Sequence, residues 1–258
     1  MIYLKNAEQI DKMRVAGAAL YDVLQRLRDA ITPGVTTAAL DVYAEQLIRK
    51  HNAVPSFLNY RGFPASVCTS VDSQVVHGIP GEAVVLQEGS IISIDCGLIL
   101  NGWQSDSAFT AGVGSISNEA QQLIDVTEAC FWKAARQAVA GNRIGDIGHA
   151  VQSHAEAYGF GVVRNLTGHG IGRSMHEDPS VPNYGDAGRG IRLREGMTIA
   201  VEPMITSRGF EVWELGDKWT VATRDGSLSS HYEHTILITD GLPEILSLPG
   251  FIWKEEGR

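Results

Sequence analysis

The chain has 258 residues, 44% of them apolar, and a net charge of -9 at pH 7 with a pI near 5.3. That length and apolar share supply a sizeable core, and an acidic balance without a long basic run gives no footing for sequence-specific nucleic-acid recognition. Three cysteines, Cys68, Cys96 and Cys130, form no CxxC pair and leave an odd count, which argues against a disulfide framework or a structural zinc knot and fits a reducing cytoplasm. Lys5, Glu8, Asp11, Lys12 and Arg14 leave no apolar core for a signal peptide, and no segment approaches the ~20 apolar residues of a membrane span, so a cytoplasmic protein is expected.

Asn6 followed by Gln9 has the form of a capping box, and Ile10, Met13, Leu20, Leu24, Leu27 and Ile31 recur at helical spacing until Pro33-Gly34 stops the run. Thr36 or Thr37 caps a second helix through Leu40, Tyr43, Leu47 and Ile48, ending near His51-Asn52. Extended segments follow from Pro55 to about Phe109. Within them Ile91 to Leu100 is an apolar run, Asn101-Gly102 is a strong hairpin signal, and Trp103 to Thr110 is the return strand. If Leu100 and Trp103 flank the turn, Asp106 lies opposite Gly97. Asp95 and Asp106 then share a face as diagonal neighbours about 7 Å apart.

The order then repeats. Ser117 begins a helix through Leu123, Val126, Cys130 and Ala134, with Gly141 as its stop, and Gly145 to Tyr158 carries Ile147, Val151 and Ala155 as the next. A shift of 107 residues lays Gly141 on Gly34, Ile147 on Leu40 and Val151 on Ala44. A duplicated α+β unit, helix-helix-strands occurring twice around a central site, fits this recurrence; a coincidence of helix pairs is the alternative. No linker or composition shift divides the chain, so one domain over residues 1–258 is expected.

Five side chains on strands or strand edges suit a metal centre: Asp95, Asp106, His169, Glu202 and Glu233. Asp95 interrupts the apolar run Ile91-Ile92-Ser93-Ile94, where an ionised carboxylate costs several kcal/mol unless paired or bound to metal. His169 is the one large side chain in Gly168-His169-Gly170-Ile171-Gly172 apart from Ile171. Glu202 ends the run Met197 to Val201 before Pro203, and Glu233 precedes Thr235-Ile236-Leu237. Each alone has an ordinary reading as a solvated strand-end group or a loop histidine. Together, four carboxylates balance two divalent cations with one imidazole as the neutral ligand, a set suited to Mn(II), Fe(II) or Co(II) and unlike sulfur-rich structural zinc. Two such ions activate water near neutral pH, so hydrolysis of an amide is the natural chemistry. His77 and His176 are candidates to bond the amide or its developing oxyanion, while His231 and His234 read as supporting groups beside Glu233.

At this point the chain resembles a family closely. PSFLNYRGFPASVCTSVDSQVVHGIP (55–80), IDCGLILNGWQSD (94–106), TGHGIGRSMHEDP (167–179), MTIAVEP (197–203) and HYEHT (231–235), in this order, resemble the bacterial type I methionine aminopeptidases. The resemblance implies the pita-bread fold, a pseudo-twofold α+β architecture around a central antiparallel sheet, and removal of the initiator methionine when the next residue is small. It implies Asp106 and Glu233 bridging two ions, Asp95 completing one, and His169 with Glu202 completing the other. It further implies His77 near the amide nitrogen, His176 on the carbonyl oxygen, and Glu202 as proton shuttle. Phe57, Tyr60, Phe63, Cys68, His77, Met175, His176 and Trp219 would contact the substrate, and aromatic edges suit a polarizable thioether.

Phe57, Asn59 and Met175 depart from the family pattern, so the pocket volume is open while the metal set is intact. Neither the zinc-finger extension of some type I relatives nor the insert of type II enzymes is expected. Cobalt, manganese and iron are the expected ions, with zinc and nickel as further options; nascent chain N-termini, peptides and the ribosome are the expected partners of a monomer. The competing readings are a proline-directed peptidase of the same fold and a metal-free relative that binds peptides without cleaving them.

Overall fold

The structure, a computed structural model, describes residues 1–254. Helix α1 (Ala7–Ala30) begins at the capping box: the Asn6 side chain accepts from the Gln9 N–H, and the Gln9 side chain accepts from the Asn6 N–H. Thr36 caps α2 (Thr37–Lys50) by accepting from the Ala39 N–H. Short strands β1 (Val54–Pro55), β2 (Val67–Val71) and β3 (Gln74–Val76) lead into the long hairpin of β4 (Ile91–Leu100) and β5 (Trp103–Gly112). Asn101 and Gly102 both adopt positive φ, as the tightest right-twisting hairpin turn requires. Leu100 therefore pairs with Trp103 and Gly97 with Asp106, the expected register.

Ser117 caps α3 (Asn118–Gln137), which is followed by α4 (Ile144–Ala157). Helix α3 stops at Gln137, before the expected Gly141; that glycine, at φ +101°, turns the chain into α4 just as Gly34, at φ +91°, turns it into α2. The remaining strands are β6 (Gly161–Val162), β7 (Gly168–Gly170), β8 (Glu177–Val181), β9 (Thr198–Val201), β10 (Met204–Thr206), β11 (Val212–Glu214), β12 (Val221–Thr223), β13 (Ser229–His231), β14 (Glu233–Leu237) and β15 (Glu244–Ile245).

The two halves repeat in detail. Helices α2 and α4 are both 14 residues long and start 107 positions apart. The bridge Thr36–Val85 recurs as Arg143–Arg192, and the bond from Gly34 N–H to Leu86 O recurs from Gly141 N–H to Leu193 O. At the same offset, Asp95 in β4 corresponds to Glu202 at the end of β9.

A nine-stranded antiparallel sheet runs β1-β4-β5-β14-β9-β7-β8, with β2 also on β4 and β15 on β14. Alternation sorts its two faces. Ile92, Ile94, Cys96 and Leu98 of β4 pack with Leu20, Val23, Leu27, Leu40 and Ile48 of α1 and α2. Ile199, Val201 and Ile236 pack with Leu123, Phe131, Ala134, Ile147 and Val151 of α3 and α4. The intervening residues Asp95, Ala200 and Thr235 point to the other face. There two three-stranded sheets, β13-β10-β6 and β11-β12-β3, add further wall. Among the described residues no helix is long and apolar enough to cross a membrane.

Helix α4 contains Gly145 and Gly148, which weaken it intrinsically but let the chain from Pro182 to Arg189 pass close against it. A Cβ on Gly148 would sit 2.5 Å from Tyr184 O and 2.7 Å from Pro182 O. Gly148→Ala should therefore lower the urea midpoint, by about 1–3 kcal/mol of stability, although alanine is the better helix former. An unchanged or raised midpoint would contradict this packing.

Candidate metal centre

Strands β4, β5, β14, β9 and β7 are consecutive neighbours in the sheet, and each carries or directly precedes one expected donor. Asp95 pairs with Ala108, and Ala108 pairs with Glu233, so the small Ala108 lies between two carboxylates on one line across the sheet. Asp106 shares their face two residues along β5. Val201 pairs with His234, which brings Glu202, one residue on, level with Glu233. His169 enters from β7, next to β9. All five expected donors line a single cavity.

The His169 imidazole stands at ligand spacing from two of the carboxylates. His169 Nε2 is 3.6 Å from Glu202 Oε1 and 3.9 Å from Asp106 Oδ2. Donor atoms on a common cation, each about 2.1 Å from it, lie roughly 3–4 Å apart. Asp106, His169 and Glu233 each offer an atom within 4.8 Å of the others. Asp95 Oδ1, Asp106 Oδ1 and Glu233 Oε1 are buried and make no hydrogen bond, a costly arrangement for acceptors that nothing else satisfies. Divalent cations fit this donor set, which is oxygen-rich with one imidazole.

Electrostatics agree. Burial, reinforced by Asp106 and Glu202, holds the Asp95 carboxyl well above its ordinary range. Burial pushes Asp106 up to about 7, and burial with neighbouring carboxylates raises Glu202 and Glu233. Burial lowers His169, keeping its imidazole neutral and able to bind metal. His169 Nδ1 lies 2.9 Å from Gly170 O, so it carries the proton and leaves Nε2 free toward the carboxylates.

The backbone beneath the donors is pinned. Thr235 Oγ1 donates to Asp106 O and accepts from the Asp106 N–H, Ser107 Oγ donates to Glu233 O, and Asn183 Nδ2 donates to Glu202 O. Gly97 gives the site its floor: a Cβ there would meet the Phe57 ring at 3.0 Å and Asp106 Oδ1 at 3.3 Å. His231, a supporting group in the sequence, stands beside the donors. The structure buries it with neither ring nitrogen bonded, Nε2 3.7 Å from Glu233 Oε2 and 3.9 Å from Glu202 Oε2. Its two-residue spacing from Glu233, which puts both on one strand face, was the available signal. His234 is turned the other way, against Phe131 and Ser247.

The cavity has a volume of ≈ 160 Å³, close to the roughly 150 Å³ of an apolar cavity that holds benzene, which is the scale of one large side chain. All eight expected substrate residues line it. Phe63 meets Trp219 edge to face, and His77, at φ +59°, stands across from the same indole. Tyr60 Oη lies 2.8 Å from His176 Nδ1. Burial together with His169, Arg61 and His77 presses His176 down to about 3, so it is a neutral hydrogen-bonding group. Arg61 also lines the cavity, a residue that sequence reasoning passed over.

The loop carrying Met175 and His176 is clamped from outside. Glu177 accepts from the N–H groups of Arg173 and Ser174 and pairs with Lys5 at 2.6 Å, both side chains buried.

A metal-bearing peptidase centre is what this geometry supports, and comparison with known proteins agrees. Residues 11–240 match the model of metallopeptidase family M24. The chain is 53% identical to a methionine aminopeptidase of Clostridium acetobutylicum over 96% of this chain and 99% of that one. The crystal structure of a methionine aminopeptidase from Rickettsia prowazekii, 42% identical, superposes with a TM-score of 0.94, covering 96% of this chain and 100% of the other. A prolidase from Pyrococcus furiosus, 21% identical with a TM-score of 0.76 and 66% of its chain covered, shares the fold alone. The chain belongs to metallopeptidase family M24, among its methionine aminopeptidases. It is a pita-bread protein and a divalent-metal hydrolase.

Two outcomes follow from the buried charges. Acids whose pKa is raised by folding bind protons more tightly folded than unfolded, so stability is lost as pH rises through those raised values. Chelator-treated protein should gain Tm as pH falls through about 7, where Asp106 takes up its proton, and saturating Mn(II) should remove that gain; below about 6.5 the suppressed histidines act in the opposite sense. A metal-free Tm that instead drops through that transition would contradict the assignment. Lys5→Met leaves Glu177 buried without its partner and should cost about 3–5 kcal/mol in a urea titration; a loss below about 1 kcal/mol would show the pair to be incidental.

Proposed function

We propose that the protein removes the N-terminal methionine from nascent proteins and peptides whose second residue is small, as one catalytic domain using two divalent ions. The carrying observation is the set of buried, unpaired carboxylate oxygens opening onto a cavity the size of one side chain. Asp95, Asp106, His169, Glu202 and Glu233 would hold the ions, with cobalt, manganese or iron best suited to the donors. When bound, such ions acidify water and polarise an amide carbonyl.

The chain's own residues do the rest. Phe57, Phe63, Cys68, Met175 and Trp219 surround the methionine side chain, whose thioether gains from aromatic edges. The substrate ammonium faces the carboxylates. With Tyr60 donating to His176 Nδ1, the Nε2–H of that ring is left to donate to the scissile carbonyl oxygen as charge develops there. His77 lies toward the amide nitrogen. The Glu202 carboxylate takes a proton from water and returns it to the departing amine. The setting that fits this work is the cytoplasm, on chains emerging from the ribosome, by a monomer. The prolidase likeness extends to fold only, and a non-catalytic relative has no need of the complete donor set.

Peptides of the Met-Ala-Ser type should release methionine with Mn(II), Fe(II) or Co(II) supplied, and X-Pro peptides should be cleaved far more slowly; the reverse order would sink the reading. Glu202→Gln should lower kcat by at least about 10², with the circular dichroism unchanged. His176→Ala should lower kcat by about 10²–10³, whereas a pure KM effect would make it a binding group.

A further inference from the structure

Arg61 is the one cationic side chain among the residues lining the cavity and is exposed, whereas the four carboxylates of the same lining are buried or half-buried. Its backbone is built rather than slack. Asn59, Arg61 and Gly62 all take positive φ, at 65°, 50° and 92°, and the turn is closed by bonds from Asn59 N–H to Phe63 O, Gly62 N–H to Asn59 O and Phe63 N–H to Tyr60 O. The left-handed region disfavours a long side chain such as arginine, so the surrounding bonds hold it there. The exposed guanidinium lies over the Tyr60 ring, 5.4 Å from its centroid, and forms no ion pair with a carboxylate of the described residues.

The polarity of the cavity fixes which part of a substrate Arg61 meets. A substrate ammonium is drawn to the carboxylates and repelled by the guanidinium, so the peptide runs from the acids outward past Arg61. Tyr60 bonds His176, and Arg61, the next residue of the chain, lines the same cavity and acts electrostatically on that imidazole, so it lies beside the group facing the scissile carbonyl. An extended peptide advances about 3.3 Å per residue, and the third substrate residue, the first not required to be small, comes within an arginine's reach.

We propose that Arg61 is a specificity-determining residue that receives a substrate carboxylate beyond the scissile bond. The inference rests on the aminopeptidase reading. The carboxylate has two sources of the same chemistry, an acidic third side chain or the C-terminus of a short peptide. Guanidinium presents several N–H donors in a plane that matches either.

The test compares kcat/KM for Met-Ala-X-Ser-Ser amides with X as Glu, Gln or Lys, and for Met-Ala-Ser as free acid and as amide, using metal-loaded enzyme. Wild type should prefer Glu over Lys by about 3-fold to 10-fold at low salt, mainly through KM, with the preference shrinking as salt rises. Arg61→Lys should keep part of it, Arg61→Gln should bring the ratio to about one, and Arg61→Glu should invert it. An Arg61-dependent preference confined to the free acid over the amide would support the C-terminal carboxylate as the source. The same Glu-to-Lys and acid-to-amide ratios in wild type, Arg61→Gln and Arg61→Glu would overturn the proposal. Release of methionine from none of these peptides by wild type would instead overturn the aminopeptidase reading on which it rests.

Discussion

Four carboxylates gathered on one buried face repel one another and have lost most of their hydration, and the fold around them makes sense only as a holder for compensating positive charge. Nothing among the described side chains supplies that charge. His169 and His231 are kept neutral by burial, Arg61 is exposed and pairs with none of these acids, and buried oxygens of Asp95, Asp106 and Glu233 have no partner. Hydrogen bonds from Thr235, Ser107 and Asn183 fix the backbone from which Asp106, Glu233 and Glu202 project. The mutual repulsion of these acids and their suitability for divalent ions are two aspects of one arrangement.

That arrangement follows from strand register. One residue of slip in β4 would turn Asp95 into the helix layer and Ile94 and Cys96 into the cavity. The Asn101-Gly102 turn fixes the β4–β5 register, and the hydrophobic alternation of both strands reinforces it. The pseudo-twofold then explains why acids meet at the centre. Asp95 and Glu202 hold equivalent positions in the two halves, and Asp106 and Glu233 come from the two central strands between them. Helices α1 and α2 cover β4, helices α3 and α4 cover β9 and β14, and the opposite face of the sheet is left for chemistry.

Most of this organisation was readable from local signals. Capping residues at Asn6, Thr36 and Ser117 and the hairpin dipeptide are short-range patterns, the 107-residue recurrence is a comparison of the two halves, and the structure contains all of them. Glycine punctuates helices, which makes Gly141 the expected stop; the helix ends earlier, at Gln137, and the glycine serves the next turn. His231, a supporting group in the sequence, stands beside Glu233 and Glu202 in the structure. What the sequence does not signal depends on contacts between distant segments: the Lys5–Glu177 clamp joins segments 172 residues apart. Arg61 was hidden for another reason: a positive-φ arginine has no signature in composition or periodicity.

The most direct test is anomalous scattering from crystals of the metal-free protein soaked with Mn(II). The account predicts two strong peaks within bonding distance of Asp95, Asp106, His169, Glu202 and Glu233. No peak among these side chains, or a cation bound elsewhere with the carboxylates left bare and protonated, would contradict it.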